Sequence, residues 1–105
     1  MDLVVLTYRL TRQFPVEERF ALSLQARRAA VSIPANIAEG HGRIHRGEYH
    51  RHVGVARGSL RELDTHLEIA LRLGYVSETD LALAAEQIDH VGRMLTNLGA
   101  SLRSV

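Results

Sequence analysis

Residues 27–40 read Arg27-Arg28-Ala29-Ala30-Val31-Ser32-Ile33-Pro34-Ala35-Asn36-Ile37-Ala38-Glu39-Gly40. Small and β-branched residues make up most of the run, and Ser32, Asn36 and Glu39 are spread along it. Ala30, Ile33 and Ile37 keep helical spacing across Pro34, so the stretch reads as one locally kinked helix. Two helices broken near Ile33 are the alternative. Pro34 removes one backbone bond, to Ala30, and the freed carbonyl can accept from the Asn36 or Ser32 neighbourhood or from water. Small side chains admit a close neighbour, and interior polar groups then need partners. Such a segment belongs in the middle of a packed helical assembly, not in a catalytic loop.

Upstream, Leu3, Val4, Leu6 and Leu10 are spaced for a short first helix over residues 3–13, broken at Phe14-Pro15. Proline suits a first helical turn and Glu17 and Glu18 suit the positive end of a dipole, so the second helix is expected from about Pro15 to Glu39. Gly40 and Gly42 end it, and residues 40–47 form a loop. Downstream, Tyr49, Val53, Ala56, Leu60, Leu63, Leu67 and Ala70 alternate steps of four and three, a heptad stripe. Gly74 is placed to stop that third helix. Ser77 and Asp80 make a variant capping box for the fourth. There, Leu81, Ala84, Ile88, Val91, Leu95, Leu98 and Leu102 repeat the same alternation. Short connections favour antiparallel neighbours, so the fold class is all-α: an up-down-up-down four-helix bundle with a short first helix.

Folding the second helix back on the third about residue 44 pairs positions whose numbers total roughly 89. Val31 then lies opposite Gly58, whose missing side chain would admit the facing helix. Arg27 and Arg28 come opposite Glu62 and Arg61, which predicts an Arg27–Glu62 or Arg28–Glu62 pair. Asn36 and Glu39 point towards the turn carrying His50 to Gly54.

One hundred and five residues, 46% apolar, make one domain, residues 1–105, with a modest aliphatic core that would gain from oligomerising. There is no Cys, which excludes disulfides and thiolate zinc sites. No apolar run approaches the ~18 residues of a membrane span, and the N-terminus lacks a secretory pattern, so a cytoplasmic protein is expected. The net charge of +1 hides an asymmetry. Residues 1–61 carry ten Arg against five acids; residues 62–105 carry three Arg against seven acids. Opposite halves point to helices or subunits that pair, with a nucleic-acid surface as a further possibility.

Three groups of residues are candidate sites. Arg43, Arg46, Arg51, Arg57 and Arg61 face only Glu48 within residues 41–61. They form either a solvated face with subunit contacts or a phosphate-attracting patch. Only Tyr49 is close enough to stack a base. His41, His45, His50 and His52 crowd the same region. Flanking glycines put His41 and His45 in the loop, and His50 and His52 point to different faces of the third helix. The four therefore read as solvated histidines rather than a metal set, which needs three or four convergent ligands, or a nucleic-acid or subunit contact. Finally Arg27, Arg28, Ser32, Asn36, Glu39 and Glu62 form a structural polar network that fixes helix register. No base or nucleophile is spaced with them, and no phosphate loop follows a strand, so neither an enzyme nor a cofactor is expected.

The run Thr11-Arg12-Gln13-Phe14-Pro15, then Gln25 and Arg27 to Gly40, resembles a family of bacterial four-helix bundle proteins. The first known members are encoded in intervening sequences of large-subunit ribosomal RNA genes. Ala56-Arg57-Gly58-Ser59-Leu60, Glu62-Leu63 and Leu73-Gly74-Tyr75 are similar to the family's third helix, and the likeness spans roughly residues 8–76. It implies a bundle that assembles into a ring, a homopentamer, and carries no defined activity. A related branch, accessory proteins of diversity-generating retroelements, has basic barrels that bind nucleic acid and partner a reverse transcriptase.

The chain departs from the family pattern in lacking an earlier, aromatic-containing start to the first helix. It also has His52-Val53 in place of a bulkier pair, and crowded histidines. The reading that results is a non-enzymatic oligomer that binds RNA or DNA, or a ribonucleoprotein, through its arginines. The alternative is a purely structural homo-oligomer whose partner is another protein.

Overall fold

Four helices follow one another: α1 (Asp2–Thr11), α2 (Leu22–His41), α3 (Arg46–Arg72) and α4 (Glu78–Arg103), with a short 3₁₀ turn (Val16–Glu18) before α2. The computed structural model describes residues 1–43 and 45–103. The centre expected for the α2/α3 turn, residue 44, lies outside the described residues. α1 packs on α2 and α4, and α3 packs on the same two, so the helices close an antiparallel four-helix bundle.

The α3 stripe is the core. Val53, Ala56, Leu60, Leu63, Leu67 and Ala70 are all buried, and Tyr49 packs half-buried against them. From α2 the core takes Ala26, Ala29, Ala30 and Ile33, small side chains that let α2 and α3 come close. The helix runs unbroken through Pro34. The Asn36 amide donates to the Ser32 carbonyl at 2.8 Å, not to that of Ala30.

The α4 stripe is as regular in sequence, yet only Ala84 and Leu95 are buried in it; Leu81, Ile88, Val91, Leu98 and Leu102 are half-buried. Leu81 and Ile88 edge grooves on the α3 side of α4, whereas for Val91 and Leu98 the reason is the length of α1. Its ten residues rise ~15 Å against ~39 Å for α4, so it covers only part of the seam between α2 and α4. Beyond it lies an apolar groove of about 880 Å³, lined by Val4, Ile33, Pro34, Ile37, Met94 and Leu98 among others.

Three local expectations need correcting. Pro15 starts no α-helix: it precedes the 3₁₀ turn, and α2 begins at Leu22. Proline's fixed φ suits either kind of turn, so the residue could not distinguish them. The first backbone N–H of α2, Leu22, is met by Glu18, whose Oε1 accepts at 3.3 Å. Second, Gly58 admits no neighbour: a Cβ there would meet nothing within 4 Å, and Val31 is 42% exposed. The close approach is at Gly40, where a Cβ would stand 2.8 Å from His52 Cβ and 2.9 Å from Tyr49 Cδ1. Third, neither Arg27 nor Arg28 forms an ion pair with Glu62 among the described residues. Arg27 turns instead to α1, where its Nε donates to Thr11 Oγ1 at 2.7 Å and its guanidinium lies 4.9 Å from the centre of the Tyr8 ring.

The ends of α3 and α4 follow their signals. Gly74 has φ +78°, Tyr75 N–H donates to the Ala70 carbonyl at 2.9 Å and Gly74 N–H to Leu71 at 3.0 Å, a Schellman stop. Ser77 and Asp80 bond reciprocally, Ser77 N–H to Asp80 Oδ2 at 2.9 Å and Asp80 N–H to Ser77 Oγ at 3.0 Å.

Candidate nucleic-acid interface

The five arginines of the basic patch divide by what the fold asks of them. Arg43 follows the last turn of α2 and pairs with Glu39 at 2.6 Å on the surface. Arg46 opens α3 beside the end of α4. Its Nη2 donates to the Ser101 carbonyl at 2.9 Å and its Nε to the Leu102 carbonyl at 3.1 Å, tying the start of α3 to the last turn of α4. Arg51, Arg57 and Arg61 make no ion pair or side-chain hydrogen bond among the described residues. Arg57 and Arg61 share one face of α3 and line a groove of about 450 Å³ against α4, which also contains Asp64 and Asp89.

Of the six residues expected to form a polar network, Ser32 and Asn36 are hydrogen-bonded together, and the partners they meet are His52 and Ser59. His52 Nδ1 stands 3.1 Å from Asn36 Oδ1, and Asn36 Nδ2 donates to Ser32 Oγ at 2.9 Å as well as to the Ser32 carbonyl. Ser59 Oγ donates to Ser32 Oγ at 2.8 Å. Because Asn36 spends its amide on Ser32, its oxygen accepts, and His52 must carry its proton on Nδ1. His52 Nε2 is then a buried acceptor with no partner. The pairs Asn36–His52 and Ser32–Ser59 fall within a turn of the predicted register. Glu39, Arg27, Arg28 and Glu62 lie outside this chain: Glu39 holds Arg43, Arg27 holds Thr11, and Arg28 and Glu62 are exposed.

The histidines separate too. His41 and His45 are exposed and His50 is half-buried, whereas His52 is 8% exposed and part of the hairpin's interior. The expectation of a solvated side chain on the third helix fails for His52, which is buried with its Nδ1 beside Asn36. His41 lies edge-on to Tyr49 at 5.8 Å, so the nearest aromatic ring to the patch is engaged within the chain. Among the described residues no three His, Asp or Glu side chains converge as a metal site would require. No described helix is long and apolar enough to cross a membrane.

Two structural residues gave no sign of their role. Glu18 accepts from Tyr75 OH at 2.7 Å as well as from Leu22, and Phe14 packs on Tyr75 at 5.6 Å. Glu18 and Tyr75 are far apart in the chain, and neither residue type signals such a partner. Arg93 enters the α3/α4 groove from the fourth helix, isolated in sequence from every other arginine there.

No curated protein matches the chain. A family model described as 23S rRNA-intervening sequence protein matches residues 1–97, including α1 and most of α4. With its four-helix bundle and the Arg27–Gly40 run at the heart of α2, the chain belongs to the 23S rRNA-intervening sequence protein family.

Proposed function

We propose that the protein is a non-enzymatic, self-assembling bundle that binds nucleic acid, as RNA, DNA or a ribonucleoprotein, through the basic half of α3. The observation that carries this is that Arg51, Arg57 and Arg61 have no acidic partner among the described residues, although acids are nearly as numerous as arginines in the chain. Guanidiniums left free on a rigid helix are poised for phosphate oxygens. The family's description, which refers to intervening sequences of 23S rRNA, agrees with a nucleic-acid setting. Assembly into a ring, a homopentamer as the resemblance implies, would multiply a patch that is modest in one copy.

The test is a titration of structured RNA and of duplex DNA at several salt concentrations. Binding should fall steeply as salt rises, and Arg51, Arg57 and Arg61 all changed to Glu should abolish it. Each lost phosphate contact lowers the salt slope by about one. Wild-type binding that survives the triple change would refute this reading.

A second reading, an oligomeric scaffold for another protein, is favoured by the apolar groove beyond α1. Light scattering coupled to size exclusion separates the two. An oligomer that shifts with nucleic acid at low salt and releases it at high salt supports the first; one indifferent to nucleic acid supports the second.

A further inference from the structure

Arg57 and Arg61 stand one turn apart on α3, a rise of ~6 Å, and form one wall of the α3/α4 groove. Arg93 lines the opposite wall from α4, with Thr96 and Asn97 a turn further on. Gly92 lies in the same groove, where a Cβ would make ordinary contact with Leu60 Cδ2 at 3.5 Å. None of the three guanidiniums is within ion-pair distance of Asp64 or Asp89, although both acids line the same groove.

The charges are sorted along the groove. α3 runs Arg57, Arg61, then Asp64, away from the α2/α3 turn. α4 runs antiparallel and meets Asp89 before Arg93, approaching that same end. Both walls are therefore positive toward the α2/α3 turn and negative beyond it. Three like charges facing one another repel, and an anion between them relieves that repulsion. Two facing carboxylates repel any anion that follows.

Resting on the nucleic-acid reading above, we infer that this groove holds the phosphate backbone. Arg57, Arg61 and Arg93 take phosphate oxygens, while Thr96 and Asn97 supply neutral donors. Asp64 and Asp89 end the site. The bound stretch is then short, and α4 contributes a phosphate-contacting residue outside the basic patch.

The experiment uses the full chain and four single variants, Arg93→Glu, Asp89→Asn, Asp64→Asn and, as a charge control, Arg12→Glu. Arg12 follows α1, which makes no contact with α3. All four positions are exposed, and circular dichroism checks folding. Polarisation titrations with a labelled RNA hairpin and a DNA duplex measure affinity and salt slope. Amide NMR with inorganic pyrophosphate reads the groove directly.

Arg93→Glu should weaken binding at least tenfold and lower the slope by about one. Asp89→Asn and Asp64→Asn should each tighten it several-fold, and Arg12→Glu should change it far less. Pyrophosphate should shift the amides of Gly92, Thr96 and Asn97 in wild type but not in Arg93→Glu. If nucleic acid binds while the groove variants match wild type, or Arg12→Glu loses as much as Arg93→Glu, the groove assignment is overturned and the nucleic-acid reading survives. If nucleic acid fails to bind yet pyrophosphate shifts those amides, the groove stands as an anion site and the nucleic-acid reading falls. Silence in both measurements overturns both.

Discussion

At the scale of single residues, two glycines show how little a residue type says without its surroundings. Gly40 lies in α2 against His52 and Tyr49, with no room for a Cβ; Gly58 lies mid-α3 with open space around it. Gly40→Ala must push apart a side-chain root and a ring, at a cost of about 1–3 kcal/mol that outweighs a helix-propensity gain of about 1 kcal/mol. A net destabilisation of up to about 2 kcal/mol in urea unfolding is expected. Gly58→Ala keeps the propensity gain without the clash and should stabilise by up to about 1 kcal/mol. The opposite assignment, close approach at Gly58, follows from sequence because register arithmetic fixes which levels meet but not which way each side chain faces. The same limit hid the role of His52. Its polar partners Asn36 and Ser32 were readable as interior groups, since they lie within a run of small and β-branched residues. His52 lies on the expected third helix but off its apolar stripe, and histidine as a residue type is no sign of an inward-facing side chain.

Among the elements, the ones with local signals were the ones readable from sequence. The α3 stop at Gly74 and the α4 start at Ser77–Asp80 are each settled within six residues, and both are found where expected. The start of α2 was not, because its anchor is tertiary: Glu18 meets Leu22 nearby but also Tyr75, from the far side of the α3/α4 connection. That bond yields a pH prediction. Tyr75 is held above its ordinary value of 10.0, first by its hydrogen bond to Glu18, then by burial and by the charges of Glu18 and Glu17. Raising the pKa of a phenol favours its neutral form in the folded state. The stabilisation is therefore complete below about pH 10 and is lost as pH rises through the higher folded value. An NMR titration of the Tyr75 ring should show a midpoint above 10.0, falling toward that value in Glu18→Gln. An unchanged midpoint in that variant would mean that the Glu18 contact does not govern the phenol.

For the whole molecule, the mismatch between α1 and its neighbours governs more than any motif. The heptad stripe of α4 calls for burial along its entire length, and α1 is too short to give it. What remains is a seam of half-buried Ile37, Val91 and Leu98 bordered by Met94, which is 57% exposed. Apolar surface of this kind, left open beside a bundle with a small core, is where a further copy of the chain would gain most by docking. A charge at Met94 tests this without disturbing the fold, because the side chain already faces water and contributes little to the interior. Met94→Glu should leave helicity and the unfolding midpoint nearly unchanged. On the self-assembly proposed above, light scattering should show it shifted toward the monomer, because a carboxylate would have to be desolvated at the rim of an apolar contact. The groove would then be part of the assembly interface. If Met94→Glu assembles like wild type, self-association uses another surface. The groove then remains free for the protein partner of the scaffold reading.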